Sequence, residues 1–338
     1  MISVVNSILK FIQIIATSIV LITSSIFHGN LPSLSSLETL WKGTQSAPIT
    51  TQNNQQSNNS AYNSTSRNRN RLIIRHRQIE RIAKKIQNLP STKNVTSQIV
   101  ASNIYISAGD TGVSTSRLTM ANQIIKTISL PTLNTVVGLS PAKNIQIALF
   151  SSPRTYANSL RKAGVDSSSI QSIVEDTGGL TVDTSIWIPL YNLQDKSDLA
   201  NVLSHELFHA CAASQGYGNE LPTWINEGTA WRIGLMAMQK VNSQKTSLEM
   251  AYYETDVRNA AKNGSLLPLS ASENDILNAQ YNVEYEDFMA VEQLVKNYGT
   301  STYKAFIQNL KTKNVNTDFS NTFKSSINNF QNSFIKSL

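Results

Sequence analysis

Ser204-His205-Glu206-Leu207-Phe208-His209-Ala210 is the stretch from which the rest of this chain is read. It carries the pattern H-E-x-x-H. On a helix, residues four apart stand one above the other, so His205 and His209 leave from the same face. Two imidazoles so placed can bind one divalent metal, and the neighbouring Glu206 can reach a water on that metal. The chain has only 4 histidines and 22 acidic residues among 338 positions. At that composition chance produces the five-residue pattern on the order of once in several hundred such chains. The stretch is therefore read as a metal site in search of a third ligand.

The flanks agree with a helix. Asp195 to Asp198 supplies capping residues, and Leu199, Val202, Leu203, Leu207 and Ala210 are its apolar contacts. The pattern runs to about Ser214, where Gly216 and Gly218 break it. A catalytic zinc normally takes three protein ligands and keeps a fourth position for water. The candidate third ligand is Glu227, within Leu221-Pro222-Thr223-Trp224-Ile225-Asn226-Glu227-Gly228-Thr229-Ala230. Pro222 suits the first turn of a helix. The 18 positions from His209 to Glu227 (227 − 209) leave room for a turn and an antiparallel helix. Gly228 would remove a side chain where the two helices press together.

With both motifs in view, the chain resembles the gluzincin metallopeptidases that carry H-E-x-x-H followed by P-x-W-x-x-E-G-x-A. The resemblance covers roughly Asn144 to the C-terminus, including a Gly178-Gly179-led strand, the step Gly264-Ser-Leu-Leu-Pro-Leu and Lys296-Asn297-Tyr298-Gly299 at a helix end. It implies an α+β, zincin-like domain with a small mixed sheet, a metal helix and a helical C-terminal subdomain. It also implies one zinc per chain on His205, His209 and Glu227, with Glu206 as general base. Gluzincins commonly use a downstream Tyr or His to donate to the oxyanion. No histidine follows His209, so Tyr285 is the candidate and Tyr281 stands behind it. One departure concerns Trp231, which occupies the place where thermolysin-like members carry an acid that orients a histidine.

Upstream of the motif, Ile104 and Ile106 alternate before a Gly-Asp-Thr-Gly turn, and Ile145, Ile147 and Leu149 alternate in a half-buried strand. Between them Leu118, Ile124, Ile125 and Ile128 predict a helix with one apolar face. Another helix is predicted from Pro153 to Ala163, stopped by Gly164. After the Gly pair, one strand is predicted with Leu180, Val182, Ile186, Ile188 and Leu190 on one face and Thr181, Asp183, Ser185 and Trp187 on the other. The Gly pair lets chain approach closely. Such a strand either pairs on both sides in the core or lies at the sheet edge, where an extended peptide can add to it. In the tail, Tyr252, Val257 and Ala261 belong to a helix stopped by Gly264. The apolar spacings from Tyr285 to Val295, from Tyr303 to Leu310 and from Phe319 to Phe334 predict further helices, whose aromatics are mainly core.

The N-terminal part has a different character. Phe11 to Phe27 is an apolar run preceded by Lys10, with no acidic residue before Glu38. That is the layout of a signal peptide or N-terminal membrane anchor within residues 1–30. Residues 31–70 read as a disordered polar linker, almost wholly Gln, Asn, Ser and Thr after Ile49, with too little apolar surface to offset ordering entropy. The folded domain then spans 71–338, with a basic helix at 71–88, the sheet and metal helix to about 240, and a helical subdomain over 241–338. The balance of 29 basic to 22 acidic residues, net +7, favours contact with anionic envelope polymer or lipid through the segment Arg67 to Lys85. No aromatic interleaving or nucleic-acid module is present, which sets DNA and RNA aside. Cys211 is the single cysteine, so no intramolecular disulfide exists, and its apolar setting marks it as a buried small residue rather than a nucleophile.

These readings converge on an expectation: a zinc-dependent endopeptidase acting on protein or peptide substrates, membrane-anchored facing outside or secreted. The alternative is a non-catalytic, metal-containing cell-envelope binding module, which would have no need for Glu206. An intramembrane protease is excluded by Asp195, Lys196 and Asp198 leading into a metal helix too polar to span a bilayer.

Overall fold

The computed structural model describes residues 98–216, 221–272, 275–276, 278–310 and 314–338. The N-terminal apolar run, the polar linker and the basic helix expected at 71–88 lie outside the described residues. Among those described, no helix is long and apolar enough to cross a membrane. The architecture is α+β: a small mixed sheet of five strands with helices on both faces and a helical C-terminal part.

The strands are β1 (Gln98–Ala101), β2 (Ile104–Ala108), β3 (Ile145–Phe150), β4 (Leu180–Val182) and β5 (Ser185–Pro189), paired in the order β1-β2-β3-β5-β4. Pairs β2/β3 and β3/β5 are parallel, and the two outer pairs are antiparallel. The register sets Ile104 against Ile145, Ile106 against Ile147, and Ile147 against Ile186. These residues form one continuous apolar face in the main core. Ala148, Phe150, Trp187 and Leu180 form the opposite face, packed on Tyr156, Leu160, Ile170 and Ile173. Strand β3 is therefore buried on both faces rather than half-buried, because it is the central strand and has helices above and below it.

The helix expected between β2 and β3 is α1 (Thr115–Ile124), which passes through a π-helical turn, Ile125–Ser129, into α2 (Leu130–Val136). Pro131 has no amide hydrogen for the ladder. Just before it the ladder widens, with Leu130 N–H donating to the carbonyl of Ile125. The extra residue turns the apolar stripe: Ser129 is fully buried, while Ile128, expected on the apolar face, is only half-buried. Helix α3 (Pro153–Lys162) is capped by Ser152, whose hydroxyl accepts from Thr155 N–H, and α4 (Ser167–Asp176) follows. These two cover the second face of the sheet.

The single strand expected over 180–190 is a hairpin. Asp183, at φ 52°, turns the chain after three residues, and Val182 pairs with Ser185. Small polar residues such as Asp tolerate that left-handed conformation. The reversal changes the faces as well. Leu180 sits opposite Trp187, and Thr181 opposite Ile186, so Thr181 faces the main core instead of sharing a side with Trp187. Strand β4 is the outer strand of the sheet, paired only with β5 among the described residues.

The remaining helices are α5 (Lys196–Gln215), α6 (Thr223–Gln239), α7 (Ser243–Lys262), α8 (Val283–Tyr298), α9 (Thr300–Asn309), α10 (Val315–Phe323) and α11 (Ile327–Ser337). The tail aromatics are core, as expected. Trp224, at the start of α6, stacks on Phe330 with ring centroids 5.7 Å apart and meets Phe319 edge-on at 6.2 Å. The tail thus anchors the N-terminal end of α6.

The turn after β2 is tied to the end of β3 by Asp110. Its carboxylate accepts from Gly112 N–H and Ser151 N–H, each at 2.9 Å, and from the hydroxyls of Ser151 and Thr155. Partial burial pushes this carboxyl up, but the hydrogen bonds from Ser151 and Thr155 outweigh it and hold it below the usual carboxylate range. A folded-state pKa below the unfolded one stabilises the fold above the unfolded value, about 3.9 for Asp, and that contribution disappears as pH falls through the folded value. Asp110→Ala is expected to cost about 1–3 kcal/mol at pH 7. In urea unfolding, the gap between wild type and variant should close as the pH is lowered below 4; a pH-independent gap would contradict the assignment.

Candidate metal centre

Helix α5 starts with Asp195 as its cap, whose carboxylate accepts from Ser197 N–H at 2.7 Å and Asp198 N–H at 3.1 Å. Lys245 of α7 reaches the same carboxylate at 3.0 Å. Gly216, at φ 89°, ends the helix in the left-handed conformation that glycine adopts without steric cost. Between these ends α5 is not amphipathic. Every residue from Leu203 to Ala212 is buried, as befits a helix packed between a sheet and further helices. Cys211 lies in this buried run, and burial pushes its thiol up to about 12, so it is a packing residue with no thiolate character at neutral pH.

Helix α6 begins directly after Pro222, and Glu227 is in its second turn, wholly buried. The close approach of α5 and α6 occurs at Gly234, where an added Cβ would stand 2.1 Å from Asn201 Oδ1 and 3.0 Å from its carbonyl oxygen. Gly228 does not serve the contact assigned to it from sequence. A Cβ there would stand 2.3 Å from the backbone oxygen of Asp287, so Gly228 admits α8 on the other side of α6. With α5 on one flank and α8 on the other, α6 needs a glycine toward each.

The crossing brings the three predicted ligands together. His205 Nε2 and His209 Nε2 are 3.1 Å apart, and Glu227 Oε2 lies 3.7 Å from the first and 3.6 Å from the second. Each histidine is 7% exposed and Glu227 is wholly buried, so the group is a buried cluster. A tetrahedral ion with bonds of about 2.0–2.1 Å requires ligand atoms roughly 3.3–3.4 Å apart. The observed triangle has that size, and among the described residues it is the one group of His, Cys, Asp or Glu side chains suited to hold a metal.

Two further residues shape the histidines. Asn226 Oδ1 stands 3.3 Å from His209 Nδ1. With that oxygen accepting, the His209 proton is on Nδ1 and the Nε2 lone pair points toward Glu227 and His205. Nothing in the spacing of the motif pointed to Asn226; it was legible only as the neighbour of the ligand. Trp231 packs edge-on against His205 with centroids 5.5 Å apart, and its Nε1–H donates to Glu284 Oε2 at 2.9 Å. A rigid indole thus holds one imidazole by shape, and an amide holds the other by a hydrogen bond.

Glu206 is 2% exposed and lies against the start of β4. Thr181 Oγ1 donates to its Oε2 at 2.6 Å. A Cβ on Gly179 would stand 2.7 Å from Glu206 Cγ and Oε1, and one on Gly178 would stand 3.0 Å from Val202, one helical turn earlier. The Gly pair lets this segment lie directly on the metal helix.

Tyr285 is placed behind Trp231. The two rings meet edge-on at 5.7 Å, and Tyr285 stacks on Tyr253 at 3.8 Å. Burial raises its hydroxyl well above the usual tyrosine range. Tyr281 is engaged elsewhere, accepting from Leu267 N–H at 2.9 Å and donating to Glu286. No protein-family profile matches the chain, and a search of curated proteins returns no match to it.

The geometry predicts one divalent metal ion bound per chain by the purified protein, with stoichiometric binding lost in His205→Ala and Glu227→Ala. Asn226→Ala should keep the stoichiometry but weaken the affinity by about 10–100-fold, as removal of a hydrogen-bond partner behind a metal ligand does. Competition with a chelator of known affinity measures both. Unchanged affinity in the Asn226 variant would remove it from the site.

Proposed function

We propose that the chain is a zinc-dependent endopeptidase of gluzincin type. The observation that carries this reading is the ligand count. Structural zinc sites close with four protein ligands, whereas hydrolytic sites use three and leave one position open. Here three donor atoms converge and no fourth His, Cys, Asp or Glu joins them among the described residues. A second carboxylate, Glu206, directly follows one ligand and is held in place by Thr181.

In this reading His205, His209 and Glu227 would hold the ion, which would supply a Lewis acid and a water whose pKa is lowered from 15.7 to about 7. Glu206 accepts the proton of the attacking water and returns it to the leaving amine. The outer side of β4, unpaired among the described residues, offers strand backbone on which an extended peptide can lie beside Glu206. Tyr285 is proposed as the oxyanion donor; burial raises its hydroxyl well above the usual tyrosine range, which favours the protonated, donating form. Action at or outside the cell surface, tethered or secreted, rests on the N-terminal apolar run and polar linker.

Zinc-loaded wild type is expected to cleave a mixed protein substrate, and Glu206→Gln to lose about 10²–10⁴-fold in rate while keeping its metal. Equal cleavage by both, or a wild type that holds no stoichiometric metal, would sink the peptidase reading and leave the non-catalytic envelope-binding module in its place. Tyr285→Phe separates the oxyanion role. A fall of about 10²–10³-fold in kcat with metal content unchanged supports it, and a wild-type kcat removes Tyr285 from the mechanism.

A further inference from the structure

We propose that Thr181 is a positioning residue for Glu206, and that through it the outer strand of the sheet sets the orientation of the general base. The inference rests on the peptidase reading for the role of Glu206, but its geometry stands independently. The hairpin register puts Thr181 opposite Ile186, on the face turned to the main core and α5. From there its hydroxyl donates to Glu206 Oε2 at 2.6 Å and approaches the Glu206 carbonyl oxygen at 3.3 Å. On the other side of the carboxylate is Gly179, two residues earlier on the same segment, whose missing Cβ leaves room for Oε1 and Cγ. One oxygen is held by a hydrogen bond and the other is bounded by backbone, so a segment of three residues fixes the plane of the carboxylate.

The same residue also belongs to the open edge. Strand β4 turns into β5 through a two-residue loop closed by Val182 and Ser185. In such a hairpin the closing pair exchanges hydrogen bonds, and the next residue, Thr181, directs its own N–H and C=O away from the partner strand. Thr181 therefore presents its backbone to the outer edge, unpaired among the described residues, and its side chain to Glu206. A peptide pairing with that edge would settle the strand that orients the base. A threonine suits both tasks, since its β-branch favours the extended backbone and its hydroxyl supplies the donor. Valine has the same shape without the donor.

The test compares zinc-loaded wild type with Thr181→Val and Thr181→Ser. Thr181→Val is expected to lose about 10–100-fold in kcat, the scale of a misplaced catalytic group, with KM within twofold and one metal per chain. Thr181→Ser, which keeps the hydroxyl, restores most of kcat. A wild-type kcat in Thr181→Val, an equal loss in Thr181→Ser, or loss of metal in Thr181→Val alone would overturn the proposal. A second measurement needs no cleavage: unfolding midpoints of wild type, Thr181→Val, Glu206→Ala and the double variant, all metal-free. Non-additive midpoints are expected for two side chains in contact, and additive ones overturn the proposal. If wild type proves inactive while the midpoints remain coupled, the peptidase reading fails and the Thr181–Glu206 contact survives it.

Discussion

Three atoms that carry lone pairs, two imidazole nitrogens and a carboxylate oxygen, meet within 3.7 Å of one another at the buried crossing of α5 and α6. Such a convergence is costly in a low-dielectric interior unless a cation or shared protons compensate it. The surrounding structure serves to impose it. Helix α5 gives up a solvent face to lie between the sheet and α6, and Glu227 is completely enclosed. Three glycines make the necessary approaches possible: Gly234 where α6 meets Asn201 of α5, Gly228 where α6 meets the backbone of Asp287, and Gly179 where the start of β4 meets Glu206. Any Cβ at these points would stand under 3 Å from a neighbour, so the helix and strand spacing around the centre depends on their absence.

Around this centre the polar contacts are divided among different elements. Asn226 on α6 meets His209, Trp231 on α6 bridges His205 to Glu284 on α8, and Thr181 on β4 meets Glu206. Glu284 lies in the first turn of α8, together with buried Glu286 and near buried Asp287. The positive end of that helix favours negative charge there. Against the two histidines this chain sets an indole on one ring and an amide on the other. The orienting function is thus split between shape and hydrogen bonding, and it falls on residues flanking Glu227 at −1 and +4.

Strand β4 shows how strongly a short turn can redirect an assignment. Alternation from Leu180 to Leu190 is consistent with one long strand, because a two-residue reversal leaves hydrophobic periodicity almost undisturbed. The left-handed Asp183 changes which residues share a face, and that change carries Thr181 from the side of Trp187 to the side of the metal helix. The π-turn before Pro131 has a comparable effect. It buries Ser129, whose hydroxyl lies 2.8 Å from that of Ser204, the residue preceding His205.

The sequence by itself determined the ligand types and their partners in number: H-E-x-x-H puts two imidazoles on one helical face, and the Pro222-to-Ala230 stretch supplies a carboxylate at a distance a helical hairpin can close. It determined the cap of α5 and the glycine stops of α3, α5 and α7 as well, because these depend on local hydrogen bonding and on glycine φ, both legible over a few residues. Asn226, Thr181, the separate tasks of Gly228 and Gly234, and the position of Tyr285 behind Trp231 were decided only by the tertiary structure. Each depends on which element packs against which, and contacts between residues 17 to 59 positions apart leave no periodic trace in the chain.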